Sequence, residues 1–265
     1  MPTIQTERPF VVTPPSPQNA IDLFAGEWAS RFPATGPRIE AGNVPLFEDP
    51  RFGWADGALR QLSGQGFAGQ RVLELGPLEG GHTYMLAQLG AREVVAVEAN
   101  ARAYLKCLVA REVLNIPHAR FLLGDALGYM RTTEERFDVG VACGFLYHMI
   151  EPVETIALLA RCCRQVFIWT VFHDESLFVK QPALAPQFGP PRAAEFGGFA
   201  HTLFPQFYGD GIDYRKFRGG VQPSCCWMKS DEILGALRHF GFTALTSHEE
   251  ENPYGKAIAV AAVKP

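Results

Sequence analysis

From Arg71 to Val171, short apolar runs alternate with helical stretches, the pattern that builds a parallel sheet with helices on both faces. Strands are read at Arg71–Leu75, Glu93–Glu98, Ala119–Leu123, Phe137–Cys143 and Gln165–Val171. Helices are read at about Gly81–Leu89, Ala101–Leu114, just after Asp125, and Pro152–Cys163. Regularity then stops, and residues His173 to Met228 are rich in Gly, Pro and Phe. A helix at Ser230–Phe240, with Ser230 as N-cap, precedes two strands, Thr243–Glu250 and Lys256–Val263. The turn Asn252-Pro253-Tyr254-Gly255 joins these as an antiparallel hairpin.

Ahead of this region, Pro2, Pro9, Pro14, Pro15 and Pro17 hold the first 17 residues extended, as a mobile arm. Ile21, Phe24 and Trp28 share one helical face, which predicts a short amphipathic helix from Gln18 to about Arg31. Asp49 followed by Pro50 reads as an N-cap and first helical residue, opening a helix to Leu62.

Charge and composition narrow the function. The 24 Lys and Arg against 28 Asp and Glu leave −4, without the basic face that binding extended nucleic acid requires. No run approaches the roughly 18 to 20 apolar residues of a membrane span, and MPTIQTERPF lacks a signal pattern. The expected location is cytoplasmic. Cys107, Cys143, Cys162, Cys163, Cys225 and Cys226 include no CxxC pair, so buried reduced thiols are expected. No His, Asp or Glu cluster stands at metal-ligand spacing, and no metal is expected.

The most informative segment is Arg71-Val-Leu-Glu74-Leu-Gly76-Pro77-Leu-Glu-Gly80-Gly81-His-Thr83. Its glycines allow a sharp turn between strand and helix and let a ligand approach backbone N–H groups. A dinucleotide fingerprint needs Gly at 76, 78 and 81, and position 78 is Leu, which weighs against an NAD-dependent oxidoreductase. Glu74, Glu98 and Asp125 stand at or near the carboxyl ends of successive strands, where together they repel a pyrophosphate and suit a cationic ligand carrying ribose and an amine.

On these residues the stretch Arg71 to Thr170 resembles a class I S-adenosylmethionine-dependent methyltransferase. The resemblance implies an α/β, doubly wound, seven-stranded, mostly parallel sheet of order 3-2-1-4-5-7-6 with strand 7 antiparallel. It implies S-adenosyl-L-methionine as cofactor, with Glu74, Gly76, Pro77 and Gly80 around its methionine end. Glu98 and Ala99 then lie at the ribose, and Asp125 and Ala126 at the adenine; a helix cap is the competing role for Asp125. Gly144-Phe-Leu-Tyr147-His148 is similar to a segment shared by tRNA wobble-uridine carboxymethyltransferases and many small-molecule methyltransferases. Tyr147 is thereby placed at the cofactor, with Cys143 lining the same pocket or merely packing. The implied organisation is the arm (1–17), an N-terminal helical cap (18–70) and the cofactor-binding domain (71–265), with 173–228 as a substrate-lid insertion.

Methyl transfer depends mostly on holding the acceptor opposite the sulfur, and a hydroxyl acceptor must also lose its proton. His148 and His173 follow the fourth and fifth strands and are candidate bases or structural residues; Asp174 is placed to orient an imidazole or hold an amine. Ten aromatic residues of the insertion, Phe178, Phe188, Phe196, Phe199, Phe204, Phe207, Tyr208, Tyr214, Phe217 and Trp227, suggest a wall around an aromatic or apolar small molecule. A satellite hydrophobic cluster or a homodimer contact accounts for them equally. The Arg215-Lys216-Phe217-Arg218 cluster is either a solvated face or a contact to a substrate anion. The reading is therefore methyl transfer to oxygen or nitrogen of a small molecule. RNA modification of the wobble-uridine type is the alternative, and a non-catalytic cofactor binder a further one.

Overall fold

The computed structural model describes residues 10–34, 38–209, 220–253 and 255–265. Most of the proline-rich arm (residues 1–9), Tyr214, Phe217, the basic cluster at 215–218 and Tyr254 lie outside them.

The central sheet takes β1 (Arg71–Leu75), β2 (Glu93–Glu98), β3 (Ala119–Leu123), β4 (Phe137–Cys143) and β5 (Cys163–Val171). Of the later strands it adds β9 (Ala244–Asn252) and β10 (Gly255–Val263), in the order β3-β2-β1-β4-β5-β10-β9. The first five pair in parallel; β10 runs antiparallel to both β5 and β9, which is the expected topology with a reversed last strand. The inner strands β1, β2, β4, β5 and β10 are mostly apolar and buried because both faces are covered, whereas the edge strand β9 (Ala244–Asn252) is polar and partly exposed. On β1 the pleat sends Val72 into one core and Leu73 into the other.

Helices α2 (Pro50–Ser63), α3 (Gly81–Gln88) and α4 (Ala101–Val113) cover the first face, burying Phe52, Leu59, Leu86 and Cys107. Helices α5 (Ala126–Thr132), α6 (Pro152–Cys162) and α8 (Ser230–His239) cover the second, burying Met130, Ile156 and Ile233. Capping explains their starts: Asp49 accepts from the Arg51 N–H at 3.0 Å, and Asn100 from Arg102 and Ala103 at 2.9 and 3.0 Å. Ser230 is the first helical residue of α8 and not its cap; Glu232 reaches back to the Lys229 N–H instead. All six cysteines are buried and free.

Two stretches depart from expectation. The helix predicted to reach Arg31 is only α1 (Pro17–Ile21) and a 3-10 turn to Phe24; it ends at Ala25, whose ψ of 131° leaves the helical region, and a turn with Gly26 at φ +76° follows. Ile21, Phe24 and Trp28 still share one apolar cluster with Phe32 and Phe47 against α4. The excursion after β5, read as irregular, contains a short helix α7 (Leu177–Lys180) and an antiparallel sheet of β6 (Arg192–Phe196), β7 (Phe199–Phe207) and β8 (Ser224–Trp227). Among the described residues no helix is long and apolar enough to cross a membrane.

Candidate active site

The loop between β1 and α3 turns through left-handed residues: Gly76 at φ +65°, Leu78 at +56° and Gly80 at +79°. Glycine is required at 76, since a Cβ there would meet the Phe145 ring at 3.1 Å in an already disfavoured conformation. Pro77 is buried, and its carbonyl accepts from the Gly80 N–H at 2.9 Å, closing the turn. Leu78 is the exception, a branched side chain in a region that suits glycine. Its N–H donates to Glu98 Oε2 at 3.0 Å, and the other oxygen of Glu98 takes the Asn100 N–H at 2.8 Å.

Glu74 and Glu98 are both buried at this end of the sheet. Glu74 on β1 is 2% exposed; Thr83 donates to its Oε2, while Oε1 has no hydrogen-bond partner among the described residues. Burial, with Glu98 adding repulsion and Thr83 opposing, pushes the Glu74 carboxyl up to about 8. Burial also raises Glu98, against the backbone N–H groups that favour its charge. Ala99 is exposed beyond the end of β2. Asp125 is exposed and caps α5, accepting from Leu127 and Gly128 at 3.3 and 2.8 Å, while Ala126 opens that helix and is buried.

Beyond β4 lies an aromatic cluster. The Tyr147 ring is 4.2 Å from that of His148, 6.3 Å from Trp169 and 6.4 Å from Trp227. His148 Nδ1 is 2.8 Å from the Tyr208 hydroxyl, and burial lowers this imidazole to about 4. It is therefore neutral at physiological pH. His173 follows β5, its ring stacked on Phe204 at 3.6 Å and flanked edge-on by Phe178 and Phe188. Its Nδ1 is buried without a partner among the described residues, and burial lowers its pKa. Asp174 does not orient it. That carboxylate accepts from Ser176 N at 2.9 Å and Lys256 Nζ at 3.1 Å, and these bonds, the Ser176 side chain foremost, hold it down to about 2.

The fold also assembles a group that residue spacing concealed. Asp49, His82 and Cys143 bring their ligand-type atoms within 4.8 Å of one another, against the expectation that no such cluster forms. They come from the start of α2, the start of α3 and the end of β4, far apart in sequence. Arg51 already neutralises Asp49 through its Nε at 2.8 and 2.9 Å, and its guanidinium lies 4.1 Å over the Trp169 ring. His82 Nε2 is 3.1 Å from Asp49 Oδ2, and burial pushes the Cys143 thiol up to about 12. Trp169 in turn donates to Glu250 at 2.6 Å. The aspartate before Pro50 was legible as a cap, but nothing local linked it or Arg51 to the strand ends. A cleft of about 550 Å³ lined by Arg71, Arg92, Glu93 and Arg120 lies at the opposite, amino ends of the strands, away from this chemistry.

Residues 73–166 match the methyltransferase domain family. No curated protein matches the chain in sequence. Similar solved structures include the N-terminal domain of EvdMO1 with SAH bound, at 20% identity over 94% of this chain and 94% of that one, with a TM-score of 0.66. Magnesium protoporphyrin IX methyltransferase (ChlM) from Synechocystis PCC 6803, with bound SAH, is 17% identical over 85% and 90%, with a TM-score of 0.56. An S-adenosylmethionine dependent methyltransferase from Mesorhizobium loti is 13% identical over 82% and 99%, with a TM-score of 0.55. Residues 73–166 thus match a methyltransferase domain, and the sheet around them has the strand order of the class I, Rossmann-like methyltransferase fold.

Proposed function

We propose that the chain transfers the methyl group of S-adenosylmethionine to an oxygen or nitrogen of a small molecule that is aromatic or otherwise apolar. The observation that carries this reading is the pair of buried acids flanking the glycine loop, Glu74 with a free oxygen and Glu98 bonded to the loop backbone. An unpaired buried carboxylate oxygen suits an ammonium group, and an acid at the end of the next strand suits ribose hydroxyls. Glu74, Gly76, Pro77 and Gly80 would hold the amino-acid end of the cofactor, and Glu98 with Ala99 the ribose. Ala126 and Asp125 would meet the adenine, the latter while capping α5. When bound, the sulfonium supplies a methyl group activated for in-line displacement.

The chain's own residues supply position and a proton acceptor. In the tautomer in which His148 Nδ1–H donates to the Tyr208 oxygen, Nε2 carries the lone pair that takes a proton from an acceptor hydroxyl or amine. Tyr147, Trp169 and Trp227 around it offer ring faces and edges to an apolar acceptor and help exclude water. The described parts of the excursion, 173–209 and 220–228, act as the substrate wall, with the Phe178, Phe188 and Phe204 rings around His173 as its apolar base. Support also comes from the relatives: one EvdMO1 structure was obtained with SAH and D-fucose, and ChlM is named for a porphyrin, both small molecules. The RNA-modifying alternative draws nothing from a net charge of −4.

Calorimetric titration with S-adenosylmethionine, S-adenosylhomocysteine and NAD, repeated with Glu98→Ala, tests the reading. Adenosyl ligands should bind, and Glu98→Ala should weaken them by at least about tenfold through loss of a charged acceptor. Binding of NAD alone, or strongly salt-dependent retention of tRNA, would overturn it.

A further inference from the structure

The glycine loop is gripped from outside as well as by the strand and helix it joins. Glu79 is fully buried, and its carboxylate takes three donors: the N–H of Ala29 at 3.0 Å, that of Ser30 at 2.8 Å, and the Lys106 ammonium at 2.6 Å. Lys106, on α4 and 1% exposed, also donates to the Glu27 carbonyl at 2.9 Å, with its ammonium 5.5 Å from the Trp28 ring centre. One turn earlier Arg102 pairs with the Glu27 carboxylate, at 2.7 Å through Nη2. Cys107, beside Lys106, donates its thiol to the Leu78 carbonyl at 3.5 Å. One buried charge pair thus ties the N-terminal stretch 27–30, loop residue 79 and helix α4 together.

This arrangement answers a need that the loop has. Leu78 sits at φ +56°, a left-handed conformation disfavoured for a branched side chain, which persists only where surrounding contacts enforce it. Its N–H faces Glu98 only while that conformation holds. We infer that Glu79 and Lys106 are positioning residues for the cofactor, with Glu27–Ser30 as the strap they fasten. Together they keep the loop 76–81 in the shape that receives the amino-acid end of S-adenosylmethionine. The inference rests on the reading that this loop holds the cofactor, and it adds two residues and a segment that do not themselves touch it.

The test is calorimetric titration of the full chain with S-adenosylhomocysteine for wild type, Lys106→Met, Glu79→Gln and the double variant, beside thermal melts without ligand. Lys106→Met strands a buried carboxylate on the loop and should raise Kd by about tenfold or more at unchanged stoichiometry, with the neutral double variant recovering part of the loss. A residue that merely stabilises the fold would lower the titration stoichiometry and leave Kd of the folded fraction unchanged. Hydrogen exchange at the Leu78 amide should quicken by about tenfold in Glu79→Gln, ahead of core amides on β1 and β4. Should Lys106→Met fail to fold, Glu79→Gln, which keeps shape and an acceptor oxygen, carries the test alone. Kd within twofold of wild type in every folded variant would overturn the inference while leaving the cofactor assignment standing. Absence of binding by the wild type would overturn the assignment and the inference with it.

Discussion

His148 Nδ1 lies 2.8 Å from the Tyr208 hydroxyl, joining the end of β4 to a residue of the excursion that follows β5. With the imidazole lowered to about 4 by burial, it stays a neutral base across the physiological range. His148→Ala should lower kcat by about 10²- to 10⁴-fold, and Tyr208→Phe by less, since it removes orientation only. The acid limb of the pH–rate profile of the wild type should fall near pH 4 and not near 6.5. Unchanged turnover in both His148→Ala and His173→Ala, made separately, would assign catalysis to proximity alone.

Glu74 predicts a proton linkage. Its carboxyl, held up to about 8 by burial, is protonated in the ligand-free protein at pH 7, and an arriving ammonium favours the carboxylate. Cofactor affinity should therefore rise with pH towards 8, and titrations in buffers of different ionisation enthalpy should show proton release, absent in Glu74→Gln. The stability sign is the reverse. Between the ordinary carboxyl value and about 8 the folded state binds the extra proton, so this group makes the ligand-free protein less stable as pH rises through that window. Glu74→Gln should remove that slope in melts taken from pH 5 to 8.

Arg51 sets the expectation for metals. Its guanidinium satisfies Asp49 beside His82 and Cys143, and a second cation there would be repelled. Chelation with EDTA should leave turnover unchanged. In Arg51→Met the same three side chains lose their cation, and Co²⁺ titration should show a thiolate charge-transfer band that wild type lacks.

Gly81→Ala tests the packing of the N-terminal region on α3. An added Cβ would meet the Leu46 carbonyl carbon and oxygen at 2.8 Å, backbone atoms that cannot swing aside. A loss of about 1–3 kcal/mol is expected, read as a lower melting temperature and denaturant midpoint. A melting temperature within a degree of wild type would show that residues 46–48 dock loosely.

The nucleotide-type fold was legible because its signals are local. Strands β1 to β4 lie where their apolar runs stand, and α2, α4 and α5 begin at the Asp or Asn before them. The left-handed glycines around Leu78 and the acids Glu74 and Glu98 were readable for the same reason: a strand end, a turn and a helix start are neighbours in the chain. The β6–β8 sheet was not legible. Pro205 sits inside β7 and argues against a strand, yet it is tolerated where β7 pairs with β8 and has left β6.

The partners of buried charges were hidden more thoroughly. Glu79 meets Lys106 and the backbone of residues 29 and 30, Asp49 meets His82 and Arg51, and His148 meets Tyr208. Asp174 stands next to His173 in the chain yet turns to Lys256. Hydrophobic period and capping act over a few residues and survive in any context that buries the same face. Which cation neutralises a given buried acid depends on elements brought together from distant parts of the chain, so it emerges only once the sheet has closed over its helices.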